Sequence, residues 1–326
     1  MAEILMQHAD SWPIKRQLNS FLTISLHPKH YFWRMKKVFL LSIIYFSQLA
    51  FSQQAEIFKL KKYRIAVLND SIQETSGLSW MDGRLFTFND GGNPSELYEI
   101  DKSSGKILEV LKSHITNTDW EALANDGKNF YIGDFGNNTG TRKDLKIYEI
   151  PFQNNQLQID SVQTISFYYP EQKNFNSKNT NTDFDAEAMI YLNGKLHIFT
   201  KEWVSKATSH YIVEPNILKN QPAQKVESYR TGFTVTDAYY DDGKLYMVGY
   251  TKKTEVFLDV FNETEPGIFF KEDPKHIYLG TALSVGQIEG IAVDKKGIYI
   301  SAERFKSPIK KVHPFFYFIP KDKLKL

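Results

Sequence analysis

Polar starts, short apolar runs and Gly turns recur along this chain in one order, five times. Each unit opens on an acidic or polar residue, continues through a small residue into an apolar run, turns at a Gly, and closes with a second run ending in polar residues. The units read ETSGLSWMDGRLFTFNDGG from Glu74, DWEALANDGKNFYIGDFGNN from Asp119, DAEAMIYLNGKLHIFTKEW from Asp185, VTDAYYDDGKLYMVGYTKK from Val235 and QIEGIAVDKKGIYISAERF from Gln287. Their turns fall at Asp82-Gly83, Asp126-Gly127, Asn193-Gly194, Asp242-Gly243 and Lys296-Gly297. Asn-Gly and Asp-Gly between alternating apolar runs predict type I′ hairpins, because both central residues of that turn need positive φ.

A third strand is predicted after each hairpin, at 96–101, 145–150, 210–214, 255–261 and 315–320. A fourth follows at 107–112, 162–169, 225–230 and 276–279, but the fifth unit has none before the chain ends. One unpaired strand, 63–68, stands ahead of the first unit and can supply it. Four strands per unit, in a ring closed by its own N-terminal strand, describe an all-β protein: a β-propeller of five four-stranded blades over 58–326. A six-bladed ring would need a degenerate blade between 150 and 182, a stretch rich in Asn, Gln and Lys that reads better as a loop. The internal repeat argues against an open β-sandwich. The 18 Tyr and 24 Phe suit half-buried pleated strands.

Residues 1–52 differ from the rest. Met35-Lys36-Lys37 opens a short basic region, 38–51 is uncharged and apolar, and Ala50-Phe51-Ser52 offers small residues to a signal peptidase. This predicts a signal peptide over 35–52, too short for a comfortable membrane span, with 1–34 a mis-assigned upstream extension. The alternative is a retained anchor. The expected location is periplasmic or secreted. The whole chain has net charge +2, but beyond residue 52 it carries 34 Lys and Arg against 36 Asp and Glu, a net charge of −2. That balance offers no basic field for nucleic acid or anionic lipid. The absence of cysteine excludes disulfides, thiolate metal sites and a cysteine nucleophile.

Superposing the units places Ser76, Glu121, Glu187, Asp237 and Glu289 at one position near the start of the innermost strand. Two residues earlier, on the same face, stand Glu74, Asp119, Asp185, Val235 and Gln287. Beside them, at the end of the second strand, come Asp90, Asp134, Lys201, Tyr250 and Glu303, with Arg304 next. A ring would gather these residues around one mouth of its central channel. Two of the corners there, Asp90–Asn93 and Asp134–Asn137, share the spelling Asp-x-Gly-Asn. So many like charges repel unless a cation is present or some are protonated. An oxygen-only set predicts a hard cation, Ca²⁺ before Mg²⁺, on Glu74, Glu121, Glu187, Asp237 and Glu289. Asp90, Asp134, Lys201, Glu303 and Arg304 are the candidate ligand-binding residues, Lys201 and Arg304 either neutralising acids or meeting an anionic group. Turn chemistry and strand capping explain any one of these acids without a ligand.

Other chemistry is sparse. No nucleophile elbow, zinc-protease helix or phosphate loop is present. Asp134-Phe135-Gly136 lacks every companion of the kinase motif it spells, and His197, alone inside a strand, reads as a packed histidine.

Glu74-Thr-Ser-Gly-Leu, Asn89-Asp-Gly-Gly-Asn, Asp119-Trp-Glu-Ala-Leu-Ala, Gly133-Asp-Phe-Gly-Asn-Asn with Arg142 after it, and Asp185-Ala-Glu-Ala-Met resemble exported bacterial β-propellers of the "esterase-like activity of phytase" and "SdiA-regulated" type. The likeness runs in order over about 70–305. It implies metal- or ligand-facing roles for Glu74, Glu121, Glu187, Glu289, Asp90 and Asp134; the fourth unit departs, with Asp237 and Tyr250. The leading expectation is an exported propeller binding a divalent cation and a small ligand at the acidic mouth. A metal-dependent phosphoesterase or esterase, and a protein-interaction platform, are the alternatives.

Overall fold

A computed structural model describes residues 55–176, 178–306 and 311–324. The predicted signal peptide and upstream extension lie outside the described residues. From Ala55 onward the chain is a five-bladed β-propeller. Blade one is Thr75–Met81, Arg84–Asn89, Glu96–Ile100 and Ile107–Lys112. Blade two is Trp120–Asn125, Asn129–Asp134, Lys146–Gln153 and Gln163–Tyr168. Blade three is Ala186–Leu192, Lys195–Thr200, Thr208–Val213 and Gln224–Tyr229. Blade four is Thr234–Asp241, Lys244–Tyr250, Glu255–Asn262 and Lys275–Thr281. Blade five takes Gln287–Asp294, Gly297–Glu303 and Phe315–Pro320 from the C-terminus and Arg64–Val67 from the N-terminus.

The N-terminal strand closes the ring, pairing antiparallel as Arg64 with Tyr317, Ala66 with Phe316 and Val67 with Phe315. Among the described residues no sixth blade lies between 150 and 182: the stretch holds the end of Lys146–Gln153, the short strand Gln156–Leu157 paired with it, a 3-10 turn at Ile159–Ser161 and the fourth strand of blade two, Gln163–Tyr168, with loop between them. Two short parallel additions escape the sequence pattern, Glu56–Ile57 on blade four and Gln221–Pro222 on blade two. Each covers an edge that would otherwise offer unpaired amides.

The core is not central but divided among the seams. Five separate clusters of buried side chains fill the spaces between blades one and two, two and three, three and four, four and five, and five and one. Fully burying one of these aliphatic or aromatic side chains is worth about 1.5–3 kcal/mol. In the first seam Phe86, Phe130 and Phe152 meet edge to face, with centroids 5.1 to 5.8 Å apart.

The hairpin turns follow the sequence reading in three blades. Asp82-Gly83, Asn193-Gly194 and Asp242-Gly243 all have both φ values positive. The other two differ. Asp126-Gly127-Lys128 is a longer turn, closed by the Asp126 carboxylate accepting from the Lys128 and Asn129 amides. In blade five the turn is Lys295-Lys296, held by Asp294, while Gly297 already belongs to the strand. Gly297 is needed there for another reason: a Cβ would strike the Ile319 carbonyl.

Candidate functional site

One residue of the innermost strand is skipped by the pairing in every blade: Gly77, Glu121, Glu187, Thr236 and Glu289. A bulge leaves its extra residue unpaired and re-aims its side chain. These five bulges are the structural repeat, and they correct the sequence alignment by one residue in two blades. Ser76 and Asp237 are not the equivalents of Glu121; Gly77 and Thr236 are. A one-residue slip sends a strand side chain to the opposite face, so the correction changes what these residues can do.

Asp237 shows the consequence. It is buried, and its carboxylate accepts the amides of Ile291 at 2.7 Å, Ala238 at 2.8 Å and Leu78 at 3.3 Å. It ties blades five and one to blade four, and is committed to backbone rather than placed to ligate an ion. Asp134 is equally committed. It pairs with Trp120, accepts from the Asp119 amide at 3.1 Å, and receives the Arg142 guanidinium at 2.9 Å, with Lys146 at 3.9 Å. Arg304 does not reach the acids as an ion-pair partner either: it binds Asp70 and the Gln73 side chain. Glu74 sits at the rim, where the Asn93 amide bridges it (3.0 Å) to Asp90 (2.8 Å).

The remaining residues do come together. Asp90, Asp119, Glu121, Asp185, Glu187, Glu289 and Glu303 interact electrostatically with one another and with Lys201. Lys201 is buried and donates to both oxygens of Glu187. Burial opposes its charge, yet Glu187, Tyr250 and Glu289 around it hold its proton well above the ordinary lysine range. From Lys201 a polar chain crosses three blades. Tyr250 lies 3.5 Å from Nζ and donates to Glu289 at 3.0 Å, and Gln287 donates to Tyr250 at 3.2 Å and to Glu303 at 2.5 Å. Asp185 is structural, accepting from the Asn137 amide at 2.6 Å and the Trp203 indole at 2.8 Å.

Asp119 and Glu121 are different. Among the described residues their carboxylates have no hydrogen-bond partner, and they lie side by side against Gly136. A Cβ on Gly136 would collide with Asp119 and come within 2.6 Å of Glu121 Oε1; one on Gly91 would also collide with Asp119. The two like-spelled corners meet here, though through different positions: Gly136 is the Gly of Asp-x-Gly-Asn, while in the first corner the contact is made by Gly91 at x and Gly92 has open space. Gly91 and Gly136 lie on two sides of one carboxylate, and each following Asn fastens a neighbour: Asn93 the Glu74–Asp90 pair, Asn137 the backbone at Phe184 (3.0 Å).

Crowding shows in the proton affinities. Burial, then Asp185, raises Asp119 to about 6. Burial, then Glu74 and Asp119, raises Asp90 to about 7. Glu289 and Glu303 are pushed to about 8, burial leading in both; Lys201 partly offsets the rise at each, and Asp90 adds to it at Glu303. Glu121, half-buried beside Glu187 and Asp119, is also held well above the usual carboxylate range, by burial first.

The fit to a metal ion is partial. Among the described residues no three His, Asp or Glu side chains converge as a ligand group. The closed oxygen cage that Ca²⁺ takes from a protein is therefore not preformed. Asp119 and Glu121 match the open kind of site, in which one or two carboxylates hold a cation that keeps water or ligand oxygens. Asp119, Asp185 and Gln287 stand two residues before the bulges of their blades, and Tyr250 ends a second strand, but nothing in the sequence separates free Asp119 from committed Asp185.

No family model and no curated protein matches the chain. Solved structures do. A putative glucose dehydrogenase-type oxidoreductase from Thermus thermophilus superposes with a TM-score of 0.43 at 11% identity, over 78% of this chain and 98% of that one. A putative 6-phosphogluconolactonase from Bacteroides uniformis gives 0.35 at 12% identity, over 78% and 71%. Hydrazine synthase from Kuenenia stuttgartiensis gives 0.37 at 13% identity over 72% of this chain, which spans only 57% of that protein.

Proposed function

We propose that the acid-lined mouth binds a positively charged ligand, a divalent cation or the amine of a small molecule, with Asp119 and Glu121 as the residues that meet it. One observation carries this reading. The mouth holds seven carboxylates and its buried cation, Lys201, is hydrogen-bonded to Glu187, so Asp119 and Glu121 lie side by side at Gly136 with no hydrogen-bond partner among the described residues. Adjacent unpartnered carboxylates cost stability, and a cation between them removes the cost. The oxygen-only donor set suits Ca²⁺ or Mg²⁺, and an open pair of carboxylates suits Mg²⁺, which keeps its waters.

The test is thermal melting with Ca²⁺, Mg²⁺ or 1,4-diaminobutane, for the wild type and for D119N/E121Q. A ligand at a hundredfold excess over its Kd stabilises by about 2.7 kcal/mol. The double variant is expected to melt higher than wild type without ligand and to lose the ligand-induced rise. A wild type indifferent to all three probes refutes the reading and favours the interaction platform.

A second reading has its own support. At neutral pH Asp119, near 6, is largely ionised while Glu289 and Glu303, near 8, hold protons, so one mouth contains a base and two acids. Turnover of p-nitrophenyl phosphate or acetate, lost in E303Q, would make the protein an ester hydrolase. Export is part of the proposal and rests on residues 35–52. Envelope-derived protein should begin near Gln53, and an intact Met1 would refute it.

A further inference from the structure

Away from the mouth, the seam between blades three and four buries a chain of titratable groups. His197 and His210 are both buried, with His197 Nδ1 2.8 Å from His210 Nε2. The other nitrogen of His197, Nε2, lies 3.3 Å from the Leu192 carbonyl. The other nitrogen of His210, Nδ1, lies 3.1 Å from Glu227 Oε1. Glu227 in turn accepts the amides of Phe269 and Phe270, each at 2.9 Å, from the segment joining the third and fourth strands of blade four. Phe199, Phe269 and Phe270 enclose the His210 ring, with centroids 4.7, 5.9 and 6.3 Å away. Besides His210 and Glu227, Lys195 is the charged group that bears on His197.

Donors and acceptors along this chain can be counted. A carbonyl only accepts, so His197 carries its proton on Nε2. Burial, then its neighbour His210, pushes His197 down to about 4, so its Nδ1 is bare. His210 Nε2 must then be the donor between the rings. Burial alone would raise Glu227, but the bonds from His210 and the two Phe amides outweigh it and hold it below its ordinary value. It is a carboxylate, and His210 Nδ1 must donate to it as well.

We infer that His210 carries both ring protons, and that the resulting imidazolium–carboxylate pair is a latch seating Phe269 and Phe270 of blade four on blade three. Removing the extra proton leaves two bare acceptors face to face, either between the rings or at Leu192, and costs a charge-assisted bond. The Glu227 contribution is present above the ordinary glutamate range and is lost as pH falls through its depressed folded value.

Ring-nitrogen NMR of ¹⁵N-histidine-labelled full-length protein tests this directly. At about pH 6 both His210 nitrogens should show the protonated shift and His197 only one. Amide exchange at Phe269 and Phe270 at the same pH should be at least about tenfold faster in E227Q than in the wild type, the effect of losing one charged hydrogen bond. A bare nitrogen on His210 at pH 6, or wild-type protection of both amides in E227Q, would each overturn the proposal.

Discussion

Asp237 is the residue whose role the fold changes most, and its replacement is the sharpest check on the bulge register. The D237A variant removes the acceptor for three amides on a residue only 1% exposed, so water cannot replace it. The Ile291 bond, at 2.7 Å, belongs to the stronger charge-assisted class, about 1.5–3 kcal/mol, when the carboxyl is ionised; burial raises its pKa well above the ordinary range and the three amides oppose that rise. The Ala238 bond and the longer Leu78 bond add about 1 kcal/mol each. The expected loss is thus about 3–5 kcal/mol, which urea unfolding should register as a midpoint drop of about 1–2 M at unchanged m. D237N separates the causes. Its amide oxygen can keep Ile291 and Leu78, but its NH₂ group then faces the Ala238 amide, so it should lose about 1–2 kcal/mol. If Asp237 instead ligated an ion, both variants would lose the stabilising effect of added cations while leaving the apo protein little changed. A D237A loss below about 1 kcal/mol in metal-free buffer would refute the structural role.

Two further outcomes follow from the same geometry. Asp90, Asp119, Glu289 and Glu303 all bind protons more tightly folded than unfolded, so stability should fall as pH rises from about 4 to about 8, and E303Q should flatten the upper part of the curve in melts across that range; a melting temperature that climbs from pH 6 to 8 would contradict the crowding. Deleting residues 58–68 strips Arg64–Val67 from Phe315–Pro320 and exposes that edge, so size-exclusion chromatography should show self-association, and a monomer as stable as the parent would argue against closure by this strand.

Much of the architecture is legible in the sequence because its signals are local. An Asp-Gly or Asn-Gly between apolar runs specifies a hairpin through positive φ, as at Asp82-Gly83, and five hairpins on one plan, three of them with that turn, specify a ring. The orphan run at 63–68 and the missing final strand are likewise two halves of one statement, since a sheet edge must be paired or covered. The three glutamates at the channel, Glu121, Glu187 and Glu289, also follow from the repeat, because each stands two residues after the polar start of its unit, at Asp119, Asp185 and Gln287.

Only the tertiary structure decides the rest. A bulge is one inserted residue with no signature of its own, so Gly77 and Thr236 pass for neighbours of Ser76 and Asp237 until the pairing is seen. Whether an acid is free or spent depends on donors distant in the chain: Ile291 and Leu78 for Asp237, and Asn137 and Trp203 for Asp185. Composition counts the charges of this mouth, but the ring, by bringing Lys201 to Glu187 and leaving Asp119 beside Glu121, determines which of them remain unanswered.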